Sequence, residues 1–284
     1  MGIEGSNPSV SARQCLRQTQ GELMPQLQPG NFTTSLASLF NKGLRYSTII
    51  DIGCADGNFF VDHYDIGMFP NAKPLNIDAN NLYEDSLRAI KEVFGGEYLI
   101  AAISNTQGEI EFTNSVHPYW ASIRPPDDPY WKRINGLHAG VTKVQAMTLD
   151  SVVQSAKLNG PFLLKMDIQG AEAKAIAGAH ETLKQTDTVI VEADIADFQA
   201  INSALVAADF SLYDLTMPNW LQDGSLGWFY PVYLNNRRSN MKPGAFWNPA
   251  QDEATIKVQV ERRKALLAAN TAKLNRHRAF RAKS

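Results

Sequence analysis

Ser47-Thr48-Ile49-Ile50-Asp51-Ile52-Gly53-Cys54-Ala55-Asp56-Gly57 decides the reading of this chain. Its first six residues are mostly apolar and β-branched and run into a glycine, which marks a short buried strand. The turn that follows has the pattern D-x-G-x-x-x-G. Ligands of a doubly wound sheet bind at the carboxyl ends of its strands, and this loop is expected there. Gly53 and Gly57 are expected to leave out Cβ atoms where a ligand approaches the backbone, with Cys54 between them. A helix opening near Gly57 turns its free N–H groups toward that ligand. A tight strand-to-helix turn without a ligand is the competing reading.

The acid in the loop narrows the ligand. A dinucleotide fingerprint, G-x-G-x-x-G, cradles a pyrophosphate, whereas here the first glycine spacing is missing and Asp51 adds a negative charge. No Gly-Lys-Ser/Thr follows, which excludes a Walker loop. A zwitterionic amino-acid moiety fits better, its carboxylate toward the N–H groups and its ammonium toward Asp51. S-adenosyl-L-methionine carries that moiety. Asp78 ends the second expected strand, 27 residues beyond Asp51, and is followed by Ala79. An acid at this place takes the ribose hydroxyls of an adenosine. At the end of the third strand, Ala101-Ala102-Ile103-Ser104-Asn105, small residues such as Ala102 leave room for an adenine ring and Ser104 is placed at its edge.

Outward from these loops, apolar strands alternate with helical patterns. Strands are expected at 47–52, 73–78, 97–103, 161–167, 188–193, 210–215 and 228–234. Helices are expected at 34–40, 80–94 (with Leu82, Leu87, Ile90 and Phe94 near one face), from Thr148, at 172–184 and at 197–208. Residues 108–112 read as the start of a hairpin that pairs with 143–147. The alternation predicts right-handed βαβ crossovers and a doubly wound α/β domain with a mostly parallel seven-stranded sheet. The division expected is a leader and short helix at 1–44, a main domain at 45–236 with an inserted lid at 115–142, and a helical tail at 237–284. The tail carries nine Lys/Arg and three Asp/Glu between 250 and 284, and Val258, Leu266, Leu267 and Leu274 on it are apolar.

Composition bounds the rest. A formal net charge of −2 over 284 residues argues against a general nucleic-acid binder. No apolar run approaches the roughly 20 residues needed to span a bilayer. The N-terminus lacks the basic and apolar segments of a signal peptide. Two cysteines, Cys15 and Cys54, supply neither a disulfide framework nor zinc-ligand spacing. The expectation is a cytoplasmic protein with a small-molecule or glycan acceptor and no transmembrane segment; self-association is left open.

Leu163-Leu164-Lys165-Met166-Asp167-Ile168-Gln169-Gly170-Ala171-Glu172 is the second informative stretch. It is an apolar strand ending in charge, then a glycine turn, then an acid in the first helical turn. Lys165 and Asp167 fall on the same side of an extended strand. Here the chain resembles the FkbM-type methyltransferases. The resemblance rests on Asp51-Ile52-Gly53 with Gly57, Ala101-Ala102-Ile103 before Gly108, and Thr148-Leu149-Asp150-Ser151. It continues through Lys165 to Glu172, Gly178-Ala179 and Val191-Glu192, in the family's order over about 45–195. It implies a class I methyltransferase (Rossmann-like) fold, S-adenosyl-L-methionine as cofactor, and O-methylation of a hydroxyl on a sugar, glycan or secondary metabolite. Two positions depart from the family: Gln169 stands where Glu is common, and Ala55 where Asn is common.

On this reading the cofactor-binding residues are Asp51, Gly53, Cys54, Gly57, Asp78, Ala79, Ala102, Ser104 and Asp167. A sugar hydroxyl is a poor nucleophile and calls for a base. Asp167 is the first candidate, followed by Glu172 and His138. Asp167, Glu192 and Asp194 are together compatible with a divalent cation, although no spacing requires one. The acceptor is expected against the insertion, at Tyr119, Trp120, Arg124 and Trp131, which combine flat faces with donors. A non-catalytic nucleoside- or glycan-binding module and a nicotinamide-dependent oxidoreductase are the alternatives.

Overall fold

The β-branched segments become strands and the amphipathic ones become helices. The computed structural model describes residues 30–133 and 138–238, together with residues of one helix between 257 and 275. The order is α1 (Phe32–Asn41), β1 (Thr48–Ile52), α2 (Asn58–Asp65), β2 (Lys73–Asp78), α3 (Glu84–Phe94), β3 (Glu97–Ile100), β4 (Ala102–Ile103), β5 (Gly108–Ser115), α4 (Pro129–Arg133) and β6 (His138–Met147). It continues with α5 (Leu149–Ser155), β7 (Phe162–Met166), α6 (Glu172–Ala177), α7 (His180–Leu183), β8 (Thr186–Val191), β9 (Ala193–Asp194), α8 (Phe198–Ala207), β10 (Phe210–Trp220) and β11 (Leu226–Asn235).

The main sheet runs β10-β11-β8-β7-β1-β2-β3, with β9 paired to β11. β3, β2, β1, β7 and β8 are parallel, and β11 and β10 are antiparallel. This is the mostly parallel, doubly wound seven-stranded sheet expected from the alternation. All five residues of β1 are buried because helices cover both faces of a central parallel strand. Ile50, Ile52, Leu75, Ile77, Leu164, Met166, Val189 and Val191 form one core with the helix residues Val152, Ile176, Ile201 and Leu205. Strand order reverses between β1 and β7, which opens the crevice where such sheets bind ligands. The register sets Asp51 of β1 directly beside Lys165 of β7.

Several expected elements change. The third strand, expected at 97–103, breaks at Ala101. There the chain leaves the main sheet, and β4 joins a small sheet of order β4-β6-β5. The hairpin pairing is as expected, Gly108 with Ala146 and Glu111 with Lys143. However, β6 begins at His138, so 138–142 is strand rather than irregular lid. Leu82 lies in a short 3-10 turn and is 66% exposed, off the buried face formed by Leu87 and Ile90. The 172–184 helix is two helices, and Gly178 at the break passes against the Ser104 carbonyl, where a Cβ would come within 2.2 Å. Thr148 caps α5 by accepting from Ser151 N. Asp150 instead receives Glu181 N, Thr182 N and Thr182 Oγ1, and so fastens the start of α7.

The chain divides into two units, Met1–Asn240 and Met241–Ser284. In the second, the described residues between 257 and 275 are helical. Residues 1–29 of the expected leader, and Leu266, Leu267 and Leu274 of the tail, lie outside the described residues. No helix among the described residues is long and apolar enough to cross a membrane.

Candidate active site

A cavity of about 690 Å³ opens at the carboxyl ends of β1, β2, β7 and β8, within the range that holds small ligands. One side is the loop from Gly53 to Asp56, with Asp78, Ala79, Ala101 and Ala102 beside it; the other is Asp167 to Glu172, Glu192 and the β10–β11 hairpin.

The two loop glycines serve the protein's own packing. Gly53 has φ +70°, and a Cβ there would stand 1.9 Å from the Asp167 carbonyl oxygen. Gly57 has φ +81°, and its Cβ would meet Ile90 Cδ1 at 2.4 Å. Gly53 also lines the cavity, whereas Gly57 does not. The expectation that Gly57 makes room for a ligand is corrected: it makes room for α3.

Asp51 is also corrected. It is fully buried and absent from the cavity wall. Its Oδ1 accepts from Lys165 Nζ at 3.0 Å, and Lys165 lies 3.8 Å from Asp167 Oδ2. Burial alone would discharge Lys165, but Asp51 and then Asp167 hold its pKa above the ordinary lysine value. Asp51 thus lies behind Lys165, which lines the cavity.

Asp78 lies at the wall. Its Oδ2 accepts from Ala55 N and its Oδ1 from Asn80 N, both at 2.8 Å. Burial raises its pKa to about 6 against the pull of those two N–H groups. Each oxygen retains lone-pair capacity toward the cavity. Cys54, Ala79 and Ala102 line the same space; Ser104 is buried outside it, with its hydroxyl on Asn105 Oδ1.

The floor is a carboxylate pair. Gln169 Nε2 donates to Asp167 Oδ1 at 2.9 Å and to Glu192 Oε2 at 2.8 Å. On the other side, Tyr230 Oη is 2.9 Å from Asp167 Oδ2 and 3.3 Å from Glu192 Oε1. Tyr130 Oη donates to Gln169 Oε1 and so orients the amide. Tyr230 has one hydroxyl proton for two carboxylates. A proton on Glu192 completes the set, and burial, then Asp167 and Glu172, push Glu192 well above the usual carboxylate range. Glu172 accepts from Ile168 N at 2.9 Å and fixes the turn, and burial raises it to about 7. Gln169 holds φ +55°, which aims its amide between the two acids.

The remaining expectations divide. Tyr119 and Trp120 line the cavity, stacked on Tyr83 and His117. Arg124 lines it too, but its guanidinium is engaged by Gln169 O, Asp128 and Asp197, so it ties the lid down. Trp131 is 1% exposed with Nε1 on Pro125 O and belongs to the core of the lid. His138 is exposed on β6 and outside the cavity wall, so its placement as a base is corrected. Among the described residues, no group of three His, Cys, Asp or Glu could hold a metal ion. The Asp167, Glu192 and Asp194 set therefore does not stand as a metal site; protein donors bridge the first two. Tyr230, Trp220 and Trp228 were not singled out in the sequence. The alternation Trp228-Phe229-Tyr230 was the signal, since a period of two puts both flanking rings on one face.

The strand order, the acid-ended strands and the cavity at the switch point define a class I methyltransferase-type α/β domain. The chain belongs to the FkbM methyltransferase family: the Methyltransferase FkbM domain model matches residues 46–212. The family implies methyl transfer from S-adenosyl-L-methionine. Among solved structures, it is similar to a methyltransferase FkbM from Methylobacillus flagellatus KT (14% identity, TM-score 0.46, 72% of this chain and 48% of that one). It is also similar to a precorrin-6y C5,15-methyltransferase from Geobacter metallireducens GS-15 (8%, 0.40, 72% and 87%). A third similar structure is a putative RNA methyltransferase from Pyrococcus horikoshii (10%, 0.41, 83% and 100%). The chain spans about half the length of the first of these. No curated protein matches the sequence.

The residues fit the cofactor the family implies. Asp78 offers acceptors to ribose hydroxyls, Ala101 and Ala102 leave space beside it, and the acid excess at the floor complements a cationic sulfonium and ammonium.

Proposed function

We propose that this protein methylates a hydroxyl oxygen of a sugar, glycan or related polyhydroxylated metabolite, with Asp167 accepting the hydroxyl proton. The observation that carries this is the Asp167–Glu192 pair, clamped by Gln169 and Tyr230 at the floor of the cavity that the 53–56 loop also lines. When bound, S-adenosyl-L-methionine supplies an electrophilic methyl on a sulfonium. The chain's part is then to align the acceptor oxygen and remove its proton. Asp78 and the loop backbone hold the adenosyl and amino-acid portions. Glu192 keeps a proton, which leaves Asp167 to take the one from the acceptor. Gln169 and Tyr230 are positioning residues that fix the two carboxyls relative to each other.

The test is mass spectrometry of a glycan panel after incubation with methyl-labelled S-adenosyl-L-methionine, on the wild type and on Asp167→Asn. Turnover in Asp167→Asn should fall about 10²- to 10⁴-fold, with affinity for S-adenosylhomocysteine kept within a few-fold. Glu192→Gln, which mimics the protonated acid, should lose much less. A wild-type rate in Asp167→Asn, or label ending on nitrogen or carbon, overturns the reading.

A further inference from the structure

The cavity's outer wall is the tip of the β10–β11 hairpin, where Trp220 and Trp228 line it while remaining 64% and 36% exposed. Large aromatic side chains at the mouth of a site ordinarily have a partner. Three other lining rings have theirs: Tyr119 stacks on Tyr83, Trp120 on His117, and Tyr230 meets Phe32 edge-on at 4.9 Å. Among the described residues, neither Trp220 nor Trp228 has a ring or cation partner.

The tip that carries them is built to hold its shape. Leu221 N donates to Ser225 O and Gly224 N to Leu221 O; Ser225 gives both its N–H and its hydroxyl to Asp223 Oδ1. The register shifts twice between Thr216 and Trp220, turning the end of β10 out of the regular ladder. Trp228 pairs in register with Asp194 of β9, and Glu192, Asp194 and Asp197 line the cavity near it. Carboxyl oxygens accept hydrogen bonds, so they match a ligand that brings donors. A pyranose supplies both requirements, with hydroxyls at its rim and a flat C–H face for the rings.

We propose that the hairpin tip is the acceptor platform, with Trp220 and Trp228 packing on the C–H face of a pyranose ring whose hydroxyls turn toward Asp194 and the floor. Tyr119 and Trp120 then close the opposite side. The proposal rests on the hydroxyl-acceptor reading above and adds which residues select the acceptor.

The test is saturation-transfer difference NMR on the full chain loaded with S-adenosylhomocysteine. The probes are methyl α-D-glucopyranoside, methyl α-D-mannopyranoside and methyl α-L-rhamnopyranoside, with cyclohexylamine as the cationic comparison. At least one pyranoside should receive saturation at its ring C–H protons. Trp228→Ala and Trp220→Ala should each weaken its binding about fivefold, and Trp228→Phe and Trp220→Phe, which keep a flat ring, should hold most of it. S-adenosylhomocysteine affinity by calorimetry should be unchanged in all four, which also reports that they fold. Transfer to no pyranoside, transfer to cyclohexylamine alone, or transfer surviving both alanine changes overturns the platform. Failure of the wild type to bind S-adenosylhomocysteine, or label on nitrogen in the turnover assay, counts against the parent reading instead.

Discussion

Lys165→Met removes the cation that compensates Asp51 while keeping an unbranched side chain of similar length. Asp51 is completely buried; among the described residues its Oδ1 holds only the 3.0 Å bond from Lys165, and its Oδ2 has no hydrogen-bond partner. Breaking a buried pair from one side costs about 3–5 kcal/mol because a desolvated charge is left behind. Asp51 relieves part of this by taking a proton, so its folded-state pKa rises above its unfolded value. A raised carboxyl pKa means the folded form binds the extra proton. Stability is then lost as pH climbs from the unfolded pKa to the raised one, by up to about 1.4 kcal/mol per unit. The defect should therefore be largest near pH 8 and smaller near pH 5. Urea unfolding of wild type, Lys165→Met, Asp51→Asn and the double variant at both pH values measures it. The double variant, with no charge left to compensate, should recover much of the loss and give a coupling of roughly 2–3 kcal/mol. A Lys165→Met loss under about 1 kcal/mol at pH 8, or one equal at both pH values, would refute the assignment of this pair as the electrostatic pivot under the loop.

Asp78→Ala should weaken S-adenosylhomocysteine binding about 10- to 100-fold by calorimetry, the worth of charge-assisted hydrogen bonds. Ligand hydroxyls favour ionised Asp78, whose pKa burial has raised to about 6. Wild-type affinity should therefore fall as pH drops through 6, and Asp78→Asn should flatten that profile. Gly53→Ala should be far more damaging in thermal melts than Gly57→Ala, because the first Cβ meets a backbone carbonyl at 1.9 Å and the second only the end of the Ile90 side chain. Equal losses would contradict the packing described for the loop. Asp150→Ala should cost about 1–3 kcal/mol in chemical denaturation, since it strips the start of α7 of three bonds while leaving S-adenosylhomocysteine affinity unchanged.

The sequence by itself determined the layer order and the end of the sheet at which the cavity opens. Strand and helix periods are local, and the acids Asp51, Asp78, Asp167 and Glu192 each stand at the end of, or just beyond, an apolar strand. Parallel alternation then brings those ends together. Tertiary structure decided the role each residue takes there. Register between β1 and β7, 114 positions apart in the chain, makes Asp51 the buried partner of Lys165 instead of a ligand contact. The closeness of Gly53 to Asp167 and of Gly57 to Ile90 gives the loop glycines a packing reason that their spacing does not carry. Arg124 and Trp131 look like acceptor residues in an aromatic, polar insert, and only the folded lid shows one tied to Asp128 and Asp197 and the other buried. The Gln169 amide between Asp167 and Glu192 joins side chains from two strand ends and is completed by Tyr230 from the middle of β11. No local pattern encodes such a meeting, because it depends on long-range pairing that a one-dimensional period does not record.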